Sequence, residues 1–201
     1  AGFSPHPRIS YANAAATGTA SEAEYVELGL ARRCDPEHVR ASLDAALPDG
    51  LDVVDVVEAV TADFAARLEA SVWRVELPGV GARSATDAVA AFLAAPLIEV
   101  ERTTKSGRRT FDVRAAVTAI GVDDAGSDRE ARGAGGPDCA ILTVVVRHGT
   151  PSVRPDDVLS ALQRVADLVP PKPARVTRLA QGPLDAAGDS VADPFGPDRS
   201  A

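Results

Sequence analysis

The segment from Glu101 to Arg114 has the highest local density of side chains that can bind phosphate. Its cations outnumber its two carboxylates, Glu101 and Asp112, and give it a local charge of +3 in a chain whose net charge is −8. Arginine can bind phosphate through two parallel hydrogen bonds, which makes the segment a candidate RNA contact. A second interpretation stays open, since charged side chains also protect an exposed strand edge. The five cations are Arg102, Lys105, Arg108, Arg109 and Arg114.

The second candidate region is the first eleven residues, where His6 lies between Pro5 and Pro7. The pKa of histidine suits proton transfer or phosphate contact, but no acidic or cysteine partner is close in the sequence. Aromatic rings can stack on unpaired RNA bases, although anchoring of the entering chain explains the same rings. The candidate substrate contacts here are Phe3, His6, Arg8 and Tyr11.

Metal, cofactor and nucleophilic chemistry find little support in the spacing of the remaining residues. Cys34 and Cys139 are far apart and the three histidines have no ligand-like spacing, so we expect no metal site and no cofactor. Glu22 and Glu24 would share one face of a strand, yet no third ligand accompanies them. Residues 133–136 are glycine-rich but neither follow a predicted strand nor open a helix, which argues against a phosphate loop. No serine or cysteine triad is indicated, and no catalytic residue is assigned.

The composition of this 201-residue chain limits its class. Apolar residues make up 45% but aromatics only 4%, so the core must consist of Val, Leu and Ala. The net negative charge argues against a non-specific nucleic-acid binder. No apolar run reaches about 18 residues, so we expect no membrane span and a cytoplasmic location. The chain contains no methionine and begins Ala1-Gly2-Phe3, from which we predict a processed or truncated N-terminus.

Residues 1–66 are predicted to form a first folding unit. Glu22–Leu30 has the apolar weight of a strand. Asp35 and Pro36 form a helix start, because the carboxylate accepts from free backbone N–H groups and proline fits the first helical position. Leu51–Val60 is rich in valine and predicts a second strand.

Residues 67–181 are predicted to form a second unit, followed by a disordered tail at 182–201. Val72–Leu77 alternates cleanly as a strand, and Ser84 is expected to cap the next helix. Gly107 can take the positive φ of a hairpin turn. The other predicted elements are hairpin strands at Leu97–Thr103 and Arg108–Val113, a mobile insertion at 123–138, a strand at Ile141–Val146, a helix from Pro155 and a strand at Arg175–Leu179.

The order of these elements predicts an α+β fold built from two tandem ferredoxin-like (split βαβ) sandwiches with antiparallel sheets. In this interpretation the first sandwich is incomplete, because it lacks an initial strand and helix. The surface that those elements would cover is then exposed.

Three stretches carry a family resemblance: Gly2–Ala12 with Gly18 and Ser21–Tyr25, Phe92–Arg114, and Arg154–Leu159. Over roughly residues 1–180 the chain resembles the bacterial radical-SAM-associated (radical-SAM-linked) protein family, a domain of unknown function. Members of that family begin with a further strand and helix, so the resemblance implies an N-terminal truncation. It also implies a partnership with a radical-SAM enzyme or a ribonuclease-type RNA-processing enzyme, without an established reaction.

The sequence leaves three functions open. The leading hypothesis is an accessory module that binds substrate, expected to be RNA, for such an enzyme. A second is an enzyme acting on RNA that uses His6 together with residues of the missing N-terminus. A third is a purely structural protein-interaction domain.

Overall fold

Nine strands and five helices follow one another in the computed structural model, which describes residues 8–104, 107–123 and 139–200. The predictions for Phe3, His6, Lys105 and all but the first residue of the insertion at 123–138 lie outside these residues. The strands are β1 (Arg8–Ala12), β2 (Ala20–Ser21), β3 (Tyr25–Gly29), β4 (Ala70–Pro78), β5 (Glu99–Thr104), β6 (Gly107–Asp112), β7 (Val117–Val122), β8 (Cys139–Arg147) and β9 (Arg175–Gly182). The helices are α1 (Pro36–Asp44), α2 (Phe64–Arg67), α3 (Ala82–Ala94), α4 (Pro155–Ala166) and α5 (Gly196–Arg199).

A five-stranded sheet with the order β2-β9-β4-β8-β7 is the centre of the fold. Its neighbouring strands are antiparallel, except that β2 runs parallel to β9. From β4 to β9 the chain follows the order β-α-β-β-α-β of a split βαβ unit, with the β5–β6 hairpin inserted after α3. The α+β class is therefore confirmed. The tandem arrangement is not confirmed, because in the described residues β1 and β3 form only a separate two-stranded sheet.

The central strand β4 alternates between the two faces of the sheet, as its sequence predicts. Trp73, Val75 and Leu77 are buried in the main core, whereas Arg74 and Glu76 lie on the opposite face and are partly exposed. Two helices supply the other side of that core. They contribute Ala85, Ala88, Val89 and Phe92 from α3, and Val158, Ala161 and Leu162 from α4.

The sequence predictions for the two helix starts and the hairpin turn are partly confirmed. Asp35 caps α1, since its carboxylate accepts from the backbone N–H of His38 at 3.0 Å. Gly107 has a φ of 113° in the hairpin turn, which confirms that prediction. The prediction that Ser84 caps α3 is wrong, because the helix begins at Ala82 with Gly81 as its cap.

Leu51–Val60, predicted to be a strand, forms neither strand nor helix. Side chains hold its ends in place of a neighbouring strand. The Asp44 carboxylate accepts from the backbone N–H of Val53 at 2.8 Å, and Asp198 accepts from that of Val60 at 3.2 Å. Branched residues favour a strand only where a partner edge is available, and no strand of the described chain pairs with this segment. In contrast, the sequence does not predict β7, which forms the sheet edge.

The N-terminal part of the chain has little core of its own. Of the eleven large apolar side chains that are exposed in the described residues, eight lie between residues 9 and 60. A small cluster of Ala12, Phe64 and Leu68 is buried there. Burial of apolar side chains therefore contributes little to holding this part of the chain in place, and polar contacts must contribute as well.

Residues of the tail at 182–201, for which disorder is predicted, contact other parts of the chain in this structure. The Phe195 ring lies 5.4 Å from that of Tyr25 and 5.5 Å from that of Phe64, centroid to centroid. Asp198 is buried and forms an ion pair with Arg67 at 2.6 Å. The tail is too poor in apolar residues to form a core, but one ring and one carboxylate are enough to attach it to residues already folded.

We predict that Asp198→Asn lowers the free energy of unfolding by about 2 kcal/mol, because hydrogen bonds to a charged partner contribute about 1.5–3 kcal/mol. Its carboxylate accepts from the Thr61 backbone at 2.9 Å and hydroxyl at 2.6 Å. Urea denaturation measures the change, with the exposed Asp49→Asn as the matched control.

The hydrogen bonds from Arg67 and Thr61 hold the pKa of Asp198 well below its usual range. A lowered pKa gives stability above the ordinary carboxyl pKa of about 4, which is lost as the pH falls below it. The difference between wild type and Asp198→Asn should therefore narrow on acidification below about pH 4. A difference that is constant with pH would contradict this role of the charge.

Candidate functional site

The β5–β6 hairpin distributes its predicted phosphate contacts over two faces. Arg102 lies directly opposite Arg109, and Val100 lies opposite Phe111. Alternation along each strand places these two pairs on one face and Arg108 on the other. Because Val100 and Phe111 are buried, the first face is the one turned toward the core. The predicted cations therefore do not form one continuous patch.

Arg102 anchors the hairpin to α4. Its guanidinium donates to Asp157 at 2.8 Å and to the Ser152 carbonyl at 3.0 Å, and lies 4.9 Å from the Phe111 ring centroid. Burial raises the pKa of Asp157, while the backbone N–H of Arg154 and the charge of Arg102 lower it. A buried carboxylate needs a charged partner. The Arg102 guanidinium is therefore occupied by this internal ion pair.

Arg108 and Arg109 are the cations that the hairpin presents to solvent. Arg108 approaches Glu101 at 3.4 Å, with both side chains more than half exposed, and such a pair contributes little. Arg109 is exposed, and its guanidinium has no hydrogen bond or ion pair within the described part of the chain. These two side chains can therefore reach a bound anion without breaking a strong internal contact.

Arg114 lies in the turn between β6 and β7, where it is partly buried. Its guanidinium donates to the Val117 carbonyl at 3.1 Å and lies 5.7 Å from the Phe92 ring centroid. Within the described residues, Arg114 forms no ion pair with Asp112. Asp112 instead accepts from the backbone N–H of Arg114 at 2.9 Å and of Ile98 at 3.0 Å, which shapes the turn.

Arg8 and Tyr11 lie on β1, in a different two-stranded sheet from the hairpin. Tyr11 is 72% exposed and lies opposite Val26, itself 47% exposed. Ile9 is on the same face and is similarly exposed. This surface offers an aromatic ring with aliphatic neighbours, as a nucleobase would require, whereas Phe3 and His6 of the same predicted region lie outside the described residues.

The sequence does not predict a polar network centred on Arg178, which is buried in β9. Its guanidinium donates to the Asn13 carbonyl at 2.9 Å, to the Ser21 hydroxyl at 3.2 Å, and to Glu24. Its carbon lies 5.5 Å from the Trp73 ring centroid. Every acceptor comes from residues 13–24, so the guanidinium attaches the N-terminal part of the chain to the central sheet.

His148 extends this network at the end of β8. Its Nδ1 lies 2.6 Å from the Leu68 carbonyl, which can only accept, so Nδ1 carries the proton. Nε2 then accepts from the Ser71 hydroxyl at 2.6 Å. A hydroxyl bonded to an oriented imidazole is the arrangement of a nucleophile and its base, but Ser71 is 1% exposed and the arrangement joins elements instead. Since 77 residues separate the two, no local spacing marks the pair.

Metal sites and membrane-spanning helices are two further possibilities. Among the described residues, no group of three histidine, cysteine or acidic side chains is placed to hold a metal ion. Glu24, one of the two carboxylates noted in the sequence, binds Arg178 and accepts from the backbone N–H of Ala15 at 3.2 Å. No helix within the same ranges combines the length and apolar character needed to cross a bilayer.

The family model DUF2344, described as an uncharacterized protein conserved in bacteria, matches residues 1–155. The chain belongs to this family. No curated protein and no solved structure matches the chain. The match carries no link to radical-SAM enzymes.

The DUF2344 match covers some parts of the candidate site and not others. It includes the β5–β6 hairpin and His148, and it ends at Pro155, the first residue of α4. Arg178 and Asp198, which attach the N-terminal part of the chain, lie beyond the matched residues. The family match therefore includes the exposed hairpin cations but not all of the contacts that hold the N-terminal part in place.

We predict that His148→Gln lowers the free energy of unfolding by about 1–3 kcal/mol near neutral pH, because buried partners lose well-placed hydrogen bonds. Burial lowers the pKa of His148, and the charge of Arg178 lowers it further, against the opposing bond to the Leu68 carbonyl.

Because the pKa of His148 is lowered in the folded state, the unfolded state binds more protons than the folded state as the pH falls through about 6.5. The free energy of unfolding therefore decreases as the pH falls through that value. Urea midpoints at about pH 7.5 and about pH 5.5, on either side of that value, measure the slope. The wild type should lose more stability over this interval than His148→Gln does. Equal losses of stability in the two proteins would show that protonation of the His148 imidazole is not linked to unfolding.

Proposed function

We propose that the chain is an accessory module that holds RNA for a partner enzyme. The observation that carries the proposal is the exposed guanidinium of Arg109, which has no partner in the described chain. Arg108, also exposed, precedes it on β6 and lies on the other face of the hairpin. An unpaired cation binds phosphate without first losing an internal contact.

The attachment of the hairpin supports this role. Val100 and Phe111 are buried beneath it, and Arg102 fixes it to Asp157 of α4. A hairpin that is fixed at its base loses little conformational freedom on binding, and such preorganisation increases affinity. The cations of the β5–β6 hairpin therefore fall into two sets: the internal ones position the hairpin, and the exposed ones are free to contact RNA.

The exposed ring of Tyr11 supplies a second kind of contact. Stacking of a base on an aromatic side chain contributes about 1–3 kcal/mol and tolerates any sequence. Arg8 lies on the same strand, three residues before Tyr11 and therefore on its other face. The exposed ring favours single-stranded RNA, because paired bases are not free to stack on a protein surface.

We further propose that the partner is a radical-SAM enzyme or a ribonuclease-type RNA-processing enzyme, as the family resemblance of the sequence implies. The net charge of −8 supports a module rather than a free-standing binder. Repulsion from most of the surface limits RNA to the few positions where cations are exposed, and a second protein must supply the remaining contacts.

The finer architecture is also a proposal: residues 1–66 belong to a first, incomplete ferredoxin-like unit, in tandem with the second unit at residues 67–181. The split βαβ order of residues 70–182 supports the general fold. The exposed apolar side chains of Ile9, Val26, Leu51 and Val54 are those that a further layer would cover.

We predict that Arg109→Glu weakens the binding of an oligouridylate of about 15 nucleotides roughly tenfold, because a phosphate contact becomes a repulsion. Fluorescence anisotropy at several salt concentrations measures it, and a wild-type slope of about −1 to −2 is expected for two or three phosphates. Arg83→Glu, the same charge change at an exposed position of α3, is the matched control. Equal losses in both variants would argue against the hairpin.

We also predict that Tyr11→Ala reduces binding of the same RNA by about 1–3 kcal/mol, the contribution of one stacked base. Tyr11→Phe keeps the ring and should bind like the wild type. Since Tyr11 is 72% exposed, neither change should alter the unfolding transition. If alanine and phenylalanine variants bind alike, the ring is not a base contact.

A further inference from the structure

A groove of about 490 Å³ lies between the β6–β7 turn, the end of β8 and the turn at residues 184–188. We propose that this groove, formed around Arg114 and Arg147, is a binding site for the phosphomonoester group of a nucleotide. It lies apart from the exposed hairpin cations, and the proposal does not rest on RNA binding by the hairpin.

Arg147 is the side chain that gives the groove its charge. It is the last residue of β8 and is exposed, directly after a run of buried apolar residues. Its backbone N–H is bonded to the Ala116 carbonyl at 2.8 Å, which fixes the base of the side chain. Within the described chain, the guanidinium has no hydrogen bond and no acidic partner. A guanidinium with all its donors free, on a backbone position that is held in place, is suited to bind an anion in bidentate fashion.

Arg114 lines the same groove and is also incompletely satisfied. One guanidinium nitrogen donates to the Val117 carbonyl, but its Nε is buried and has no acceptor in the described residues. Buried donors without acceptors are uncommon in folded proteins and call for an explanation. An anion in the groove would compensate the charge that Arg114 places there.

The remaining polar groups of the groove favour phosphate over a smaller anion. Ala186 and Ala187 line it, and their backbone N–H groups have no acceptor within the described chain. Thr118 lines it as well, and its hydroxyl donates to the Val145 carbonyl at 3.4 Å. Asp185 is the acidic residue that lines this groove, and its Oδ1 accepts from the backbone N–H groups of Gly188, Asp189 and Ser190. The free donors of two guanidinium groups exceed what the two oxygens of a carboxylate can use, whereas a phosphate has three terminal oxygens.

A second, smaller depression of about 260 Å³ continues the groove, since Ala115 and Arg147 line both. Its other walls are mostly apolar and include Phe111, Pro151 and Val153. A phosphate beside an apolar depression is the arrangement that a nucleotide needs, with its charged group in one part and its base in the other. The phosphomonoester can belong to a free mononucleotide or to the end of an RNA strand.

Isothermal titration calorimetry of the full chain with adenosine 5′-monophosphate tests the site. The wild type should bind with a dissociation constant in the millimolar range or below, and Arg147→Gln should weaken binding at least tenfold. Arg83→Gln is the control and should bind like the wild type. No saturation at about 5 mM, or equal affinities for wild type and Arg147→Gln, would overturn the proposal.

Two further arms identify the source of the phosphate and separate this site from the hairpin. A 5′-phosphorylated oligoribonucleotide that binds more tightly than its 5′-hydroxyl form, with the difference lost in Arg147→Gln, shows that the groove takes RNA ends. No such difference, with monophosphate binding intact, shows that it takes free nucleotides. Arg109→Glu should leave monophosphate binding unchanged, so loss of hairpin binding and loss of this site are distinguishable. Arg114→Gln is less suitable because Arg114 also contacts Val117 and Phe92.

Discussion

A buried guanidinium must have its donors satisfied, and in this protein that requirement attaches the N-terminal part of the chain. Arg178 is 2% exposed on β9, and its acceptors all come from residues 13–24. Apolar contacts there are few, since the small cluster around Phe64 has only three buried members. Gln181, also buried, adds a bond to the Ala23 carbonyl at 2.6 Å. The position of the β1–β3 sheet therefore depends on polar groups of the final strand more than on packing.

In the β5–β6 hairpin, the number of cations in the sequence does not show which of them are available to bind a ligand. Five cations within fourteen residues suggest a single basic patch, yet the structure commits Arg102 to Asp157 and places Arg114 against Phe92. What separates them from Arg108 and Arg109 is the presence of internal partners, because Arg109 lies on the same face as Arg102 and yet is exposed. A guanidinium with buried partners fixes the hairpin, and one without them is available to a ligand.

The same contrast explains how much of the fold the sequence could predict. The alternation of Trp73, Val75 and Leu77, the Asp35 cap and the Gly107 turn depend on near neighbours in the chain and were predicted correctly. The irregular path of Leu51–Val60 and the Ser71–His148 pair depend on contacts between distant residues, which composition and spacing do not encode. Of the site, the sequence indicated the hairpin cations and Tyr11, but it could not indicate Arg147, whose isolation is visible only in three dimensions.

The attachment of the tail has a consequence for the order in which the protein can be completed. Asp198 accepts from the backbone N–H of Val60, 138 residues earlier in the chain, and the Phe195 ring packs edge to face against that of Tyr25. During translation, residues 8–67 leave the ribosome long before the groups that hold them exist. The N-terminal segment must therefore wait, with its valines exposed, until residues 193–199 have been synthesised. This is the interval in which a chaperone would be most needed.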